Sequence, residues 1–447
     1  TIFDSGGRLI EGTGIAELRR KSRGYVSFVE GGDRFTFPFR VWPSQFDTRV
    51  PFPDAEISLL GTPILPTLKF LDSYKVAIKP PQSTVYEDIV SKIPVDIGLG
   101  YTTLQKPLEA LSIVFPLGDG RFALGKEGLR RVVSFKNQQW PPLRNQFRYR
   151  PDHKERMFDL DRIGMYSAKI ESIMRSILKS EGVVLVYAQF IDGGVIPLAL
   201  ALESLGFKNA LGSSLFATPQ SPPLDVETMK NTSKTKSQAA YVMITGDKSI
   251  SEDNAKAVAL ASTPSNVQGA QVKVIIISQA GSEGLDFKFV RQVHVMDPWY
   301  NLNRIEQIIG RAIRRCSHKA LPLAKRNAEI YLYAAAPGAN RVQRADEYVY
   351  RLAENKAITM GEVTRELKSN AVDCLLNNYR DPILPPSIPI VTATRADLDF
   401  NIEKKAFSAQ CDYMASCEYK CEPDIQIDKD QVTLDSYSEA FLFLNTQ

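Results

Sequence analysis

Apolar positions along this chain keep two different spacings, and the change between them outlines a fold. Ile170, Ile173, Met174, Ile177 and Leu178 recur at helical spacing and predict an amphipathic helix. Gly182–Tyr187 then reads as a short continuous apolar strand, and residues 193–206 as a helix with a glycine stop. Tyr241–Thr245 is a second strand, and Ser251 opens another helix as an N-cap residue. Val272–Ser278, Val293–Asp297 and Ala328–Tyr333 are three more strands. Strands that are apolar throughout and alternate with helices predict a parallel sheet covered on both faces. The expected unit is a doubly wound α/β domain over 165–335, interrupted by a Ser-, Pro-, Lys- and Thr-rich surface insertion at 212–240.

The flanks are less regular. Residues 1–164 are rich in Pro and Gly, with short β-like runs at 24–29 and 35–42 and a helix-like run at 126–133. They are expected to be a mixed α/β accessory or linker region. Residues 336–447 are expected to be a helical extension, with helices over 345–357 and 360–377, ending in a Pro-rich tail with a cysteine cluster.

At 447 residues the chain has room for two or three domains, and its 24% charged content is ordinary. A net charge of +4 permits nucleic acid as a partner without demanding it. No apolar run has the ~18 residues of a membrane span. Five cysteines, mostly late in the chain, point to reduced thiols in a reducing compartment. Cys411, Cys417 and Cys421 are also a candidate zinc set, with Cys374 as a possible fourth ligand, although the spacing lacks a C-x2-C pair. The chain opens Thr1-Ile-Phe, which reads as the start of a fragment.

The most informative segment is Arg304-Ile-Glu-Gln-Ile-Ile-Gly-Arg-Ala-Ile-Arg314. On a helix Arg304, Gln307, Arg311 and Arg314 share an arc of roughly 80°, while Ile305, Ile308, Ile309 and Ala312 face a core. A solvated face would mix charge signs; this one gathers guanidiniums, whose donor forks suit phosphate oxygens. Upstream, Ser278-Gln-Ala-Gly281-Ser-Glu-Gly284-Leu-Asp286 follows the strongest strand. Loops leaving the C-terminal ends of parallel strands bind ligands in such sheets. Gly281 and Gly284 would let backbone amides approach a phosphate or sugar, and Asp286 would accept from a ribose hydroxyl. Either segment alone fits a bland reading, a tight turn or a basic surface. Together they are more specific.

The pair resembles motifs V and VI of superfamily 2 helicases and translocases. Gln307-Ile-Ile-Gly310-Arg311-Ala-Ile-Arg314 matches the Q-x-x-G-R-x-x-R form of motif VI throughout. Met296–Asn303 resembles the D-P-x-W-N segment of Swi/Snf-type ATPases, 241–246 the strand and T-G turn before motif V, and 183–189 motif IV. Arg314–His318, Leu321-Pro, 326–333, Asn370–Cys374 and Cys411-Asp-Tyr-Met resemble the transcription-associated helicases and nucleoside triphosphatases of large eukaryotic DNA viruses.

That resemblance implies the RecA-like second lobe of an ATP-driven motor on nucleic acid, DNA or RNA, in viral transcription. Arg311 and Arg314 would be the arginine fingers, with Gln307 holding their helix or contacting the γ-phosphate. Gly284, Asp286 and Arg304 would meet the nucleotide. Thr245, Gly246, Ser278, Gln279 and Gly281 would lie toward the nucleic-acid backbone. ATP with magnesium would be the cofactor. The implied partners are a P-loop-bearing N-terminal lobe of the same parent protein and viral RNA polymerase, with no membrane, and the location is the virion and the viral factory in host cytoplasm. The departure is that no G-x-x-x-x-G-K-[ST] and no D-E-x-x after a strand occur in the sequence. The first lobe is therefore expected to be missing, and this polypeptide alone to be inactive on ATP. The rival reading is a non-catalytic RecA-like module that grips nucleic acid or a polymerase.

Overall fold

In the computed structural model, residues 1–422 are described apart from 29–33, 65–67, 69, 95–98, 135–146, 152, 154, 249, 252, 280–283, 339–340, 378–386 and 404. The chain forms two compact units. The larger comprises 33–356 and 385–403, the smaller 1–32, 357–384 and 404–447.

The larger unit is built on one parallel sheet. Its strands are β1 (Phe39–Val41), β2 (Ser73–Val76), β3 (Val183–Tyr187), β4 (Lys208–Asn209), β5 (Ala240–Ile244), β6 (Val274–Ile277), β7 (Val290–Val295) and β8 (Asn327–Ala335). The spatial order runs β1, β8, β7, β3, β6, β5, β4, with β2 also on β8. The strands β3, β5, β6, β7 and β8 are buried along their whole lengths, as continuous apolar runs require when helices cover both faces. This is the doubly wound parallel α/β architecture expected from the alternation of strands and helices, and the RecA-like type of sheet that the resemblance implies.

The helices that matter below are α1 (Gln82–Ser91), α2 (Tyr101–Ser112), α3 (Gly125–Val132), α4 (Ala168–Lys179), α5 (Ile196–Ser204), α6 (Asn254–Ala261), α7 (Leu302–Ala312) and α8 (Ala345–Ser369). Helix α4 buries Ile170, Ile173, Met174 and Ile177, the stripe read from spacing. Its N-cap Ser167 accepts from the Ile170 amide. Helix α5 is buried all round, and Gly206 stops the chain beyond it at φ +97°, where an added Cβ would meet the Pro222 carbonyl oxygen at 2.2 Å. Helix α6 begins three residues after Ser251; its cap is Asp253, whose side chain accepts from the Lys256 amide.

The larger unit extends beyond residues 165–335 in both directions. Arg40 pairs with Ala328 at the start of β8, and Tyr74 with Tyr333 near its end. Two pieces of the expected linker region thus complete one sheet edge. On the other side, an antiparallel hairpin, Ser387–Val391 with Asp397–Asn401, adds β structure to the expected helical extension. Buried Glu329 holds it, accepting from the Thr394 amide at 2.7 Å and its hydroxyl at 2.6 Å.

In the smaller unit, Arg19 pairs with Glu366 at 2.7 Å, and the Asn370 amide donates to the Arg19 carbonyl at 2.7 Å. The cysteines correct two expectations. Cys411 is disulfide-bonded to Cys417, and Cys421 to Cys374, leaving Cys316 free and exposed. A sulfur shared in a disulfide is not a thiolate ligand, so Cys411, Cys417 and Cys421 are neither a zinc site nor reduced thiols here. Among the described residues, no cluster of His, Cys, Asp or Glu is suited to a metal ion, and no helix is long and apolar enough to cross a membrane.

Candidate nucleotide-binding face

Because all the strands run parallel, their C-terminal ends open on one edge, and the loops that leave them meet there. Ile277 of β6 pairs with Ile244 of β5, and the Ser278 amide donates to the Ile244 carbonyl at 3.1 Å. Thr245 and Ser278, 33 positions apart by number, therefore sit side by side. Thr245 is buried, and its hydroxyl is engaged with Ser251 at 2.8 Å and with Asp247. What this turn presents outward is backbone and exposed Gly246. Ser278 is buried, and its hydroxyl has no hydrogen-bond partner among the described residues. Gln279 is half-buried, and Gly281 lies outside the described residues.

Helix α7 follows β7 on the same edge. Asn301 caps it by accepting from the Arg304 amide at 3.1 Å. Leu302, Ile305, Ile308, Ile309 and Ala312 are buried, which leaves the Arg304–Gln307–Arg311 face outward. One point differs from the helical projection. The helix ends at Ala312, and Ile313 takes φ −95°, ψ 76°. Arg314 thus sits just beyond the helix, aimed by the exit turn instead of by helical spacing.

That turn brings the two motifs together. The Arg311 guanidinium donates to the Leu285 carbonyl at 3.3 Å, the Phe287 amide donates to the Arg311 carbonyl at 3.0 Å, and Arg314 pairs with Asp286 at 2.7 Å. Gly284 stands at φ +71° with open space around it, so the backbone conformation, not crowding, calls for glycine. Gln307 is exposed. Arg304 lies farther along, its guanidinium stacked 4.5 Å from the Trp299 ring, which also packs edge-on against Tyr101. Trp299 therefore packs on an arginine.

Beneath this surface lies a buried polar frame of which the sequence marked only Asp297. Asp297, at the end of β7, accepts from the Ser112 hydroxyl of α2 and from the Gln189 amide of the loop after β3 at 2.8 Å. Burial pushes its carboxyl above the usual range, while Lys169 opposes the shift. Lys169 in turn donates to the Met296 carbonyl at 3.0 Å and pairs with buried Asp346 at 3.1 Å. A buried pair is tolerable when every partner is satisfied. Asp346 also accepts from the Ala335 amide, which fixes the start of α8 to the end of β8. His294 is a core residue, stacked on Tyr331 and within 3.1 Å of the Tyr333 hydroxyl; burial pushes its pKa down to about 3. His318 is buried against the Val290 carbonyl at 2.8 Å and falls to about 4.

Residues 214–316 match the model of the helicase conserved C-terminal domain. The chain thus contains a segment similar to the helicase C-terminal domain. The helicase segment holds Thr245, Ser278, Gly284 and Asp286, along with all of α7 and Arg314. Over 249 residues the chain is 26% identical to a putative helicase of Invertebrate iridescent virus 3, covering 55% of the chain and 22% of that protein. It is 28% identical over 238 residues to a termination factor NPH-I homolog of African swine fever virus, covering 47% and 33%. It is 30% identical over 215 residues to a putative ATP-dependent RNA helicase of Acanthamoeba polyphaga mimivirus, covering 48% and 39%. The chain thus spans only 22% to 39% of the lengths of these relatives. Among solved structures, the SWI2/SNF2 ATPase core domain of Sulfolobus solfataricus aligns over 59% of this chain and 39% of that one, at 13% identity and a TM-score of 0.28.

Proposed function

We propose that the helicase segment is the second lobe of an ATP-dependent helicase or translocase acting on nucleic acid in viral transcription, and that Arg311 and Arg314 are its arginine fingers. The supporting observation is the contact of the two motifs: both guanidiniums are seated on the 284–286 loop. Arginines clustered on a ligand-binding sheet edge suit a transferred phosphoryl group, where they stabilise developing charge. ATP would supply the hydrolysable phosphoanhydride. This chain's residues would orient it: Arg311 and Arg314 at the γ-phosphate, Gln307 beside them, and Gly284, Asp286 and Arg304 toward the rest of the nucleotide.

The present partners of the fingers are weakly held. The Arg314–Asp286 pair is about half exposed, and such pairs contribute about 1 kcal/mol or less. A triphosphate can therefore displace Asp286 from Arg314 at small cost. The phosphate-binding loop and the acidic residues for magnesium would come from another lobe, since neither motif occurs in this sequence. The names of the relatives support nucleic acid as the substrate and transcription as the process. A purely gripping module has no use for arginines aimed at a nucleotide, which favours the motor over that reading.

The test is phosphate release by the purified 447-residue chain with ATP, magnesium and nucleic acid. The proposal expects no release above background, because half of the site lies elsewhere. Nucleic-acid-stimulated release by this chain alone contradicts it.

A further inference from the structure

A basic cleft lies outside the face that would bind nucleotide. Helix α3 reads Gly-Lys-Glu-Gly-Leu-Arg-Arg-Val and drives Leu129 and Val132 into the core. Gly128 is glycine for a packing reason: a Cβ there would sit 2.5 Å from the Phe115 ring and 2.9 Å from the Ala123 carbonyl oxygen. With its apolar face so closely seated, the helix turns its charged residues outward. Arg150, directly after the strand pair Val133–Ser134 with Arg148–Tyr149, donates to the Arg130 carbonyl at 2.8 Å. Lys126, Glu127, Arg130, Arg131 and Arg150 line one cleft.

That lining holds four cations and one carboxylate. A solvated surface intersperses the two signs, and a cleft lined by one sign concentrates counter-ions. Among the described residues, neither Arg131 nor Arg150 is ion-paired with a carboxylate, and Arg131 is exposed.

The position of the cleft adds direction. Helix α3 packs against the turn Ile191–Val195, which follows β3 at its C-terminal end. Burial raises the Asp192 carboxyl of that turn, while the nearby charges of Lys126 and Arg130 lower it and that of Asp247 raises it further. Asp247 follows directly on the Thr245–Gly246 turn. The cleft therefore lies toward the end of the sheet where the strands' C-terminal ends open, the end that also carries Thr245, Gly246 and Ser278.

We infer that this cleft takes the phosphodiester backbone of a nucleic-acid strand that runs on from the Thr245–Gly246 turn, an inference that rests on the nucleic-acid part of the proposed function. Arginine and lysine heads neutralise successive phosphates without reading the bases, so the contact is independent of sequence. It lengthens the track that a lobe of this kind offers to a strand and gives α3 a function separate from hydrolysis.

The test measures binding of a fluorescent single-stranded oligonucleotide by the full chain across a salt series. The proteins compared are the wild type, Arg131→Gln, the double variant Arg131→Gln/Arg150→Gln, and Arg395→Gln. Arg395 pairs with Glu181 just ahead of β3, at the opposite end of the sheet, and serves as the charge-matched control. The single variant guards against loss of fold through the Arg150 contact. The double variant is expected to bind about tenfold or more weakly at 0.1 M salt, with a salt slope smaller by about 1.4, the equivalent of two phosphate contacts. Arg131→Gln should show about half that change in slope, and Arg395→Gln should bind as the wild type. Wild-type binding matched by both cleft variants overturns the cleft alone, as does equal weakening in the control. A wild type that binds no oligonucleotide overturns both the cleft and the nucleic-acid reading beneath it.

Discussion

Arg314 and Asp286 form a 2.7 Å ion pair that joins the end of the arginine helix to the loop after the strand that sequence marks most strongly. The pair occupies the side chain that the proposed function needs free. Its exposure makes it a weak tie, and that leads to an unusual expectation for Asp286→Ala. Thermal unfolding should show a stability change of about 1 kcal/mol or less. Binding of a fluorescent ATP analogue should change more, because the substitution removes both the resting partner of Arg314 and the contact that Asp286 is proposed to make with the nucleotide. A large loss of stability would mean that the pair is structural.

Acid should destabilise the larger unit partly through its two buried histidines. His294 and His318 have folded pKa values lowered to about 3 and about 4. An unfolded histidine titrates near 6.5. Between those values the unfolded chain binds the extra protons, so stability is complete above about pH 6.5 and is lost as pH falls toward 3 to 4. Asp192 acts in the opposite direction, since burial raises it to about 6 and its protonated form favours the fold. The histidine share is isolated by comparison with a variant: His294→Gln should flatten the dependence of melting temperature on pH between 6.5 and 4. An unchanged slope would show that His294 is not buried as a neutral ring.

Thiol titration separates the disulfide arrangement from the zinc reading. Unfolded without reductant, the protein should show one reactive thiol, Cys316, and after reduction all five. Purified oxidised protein should carry no stoichiometric zinc. Three or more free thiols with zinc near one per chain would restore the metal site.

Much of the central sheet is legible in the chain, for a physical reason. A parallel strand buried on both faces is mainly apolar, so β3, β5 and β6 stand out against their polar loops, while β7 and β8 show only in part because they also bury Arg291, Gln292, His294 and Glu329. The arginine helix is equally plain, since its apolar stripe and its basic face have the same period. What escapes is non-local. The β1 and β2 edge is made by three- and four-residue strands whose partner lies more than 250 positions away, and no short window records that pairing. The partners Ser112, Lys169 and Asp346 that frame Asp297 escape likewise, because each looks like ordinary surface polarity until the fold buries it. Helical projection also overreaches at Arg314, where the helix has already ended and the exit turn sets the side chain's aim.

The central claim is that Arg311 completes an ATP site from outside the phosphate-binding loop. It is tested most directly by single-turnover ATP hydrolysis in a protein that joins this chain to a lobe bearing such a loop. Arg311→Ala is expected to lower the hydrolysis rate by about 10³-fold or more, the range for a lost arginine finger, while ATP affinity stays within a few fold. Hydrolysis at the wild-type rate in that variant would contradict the account.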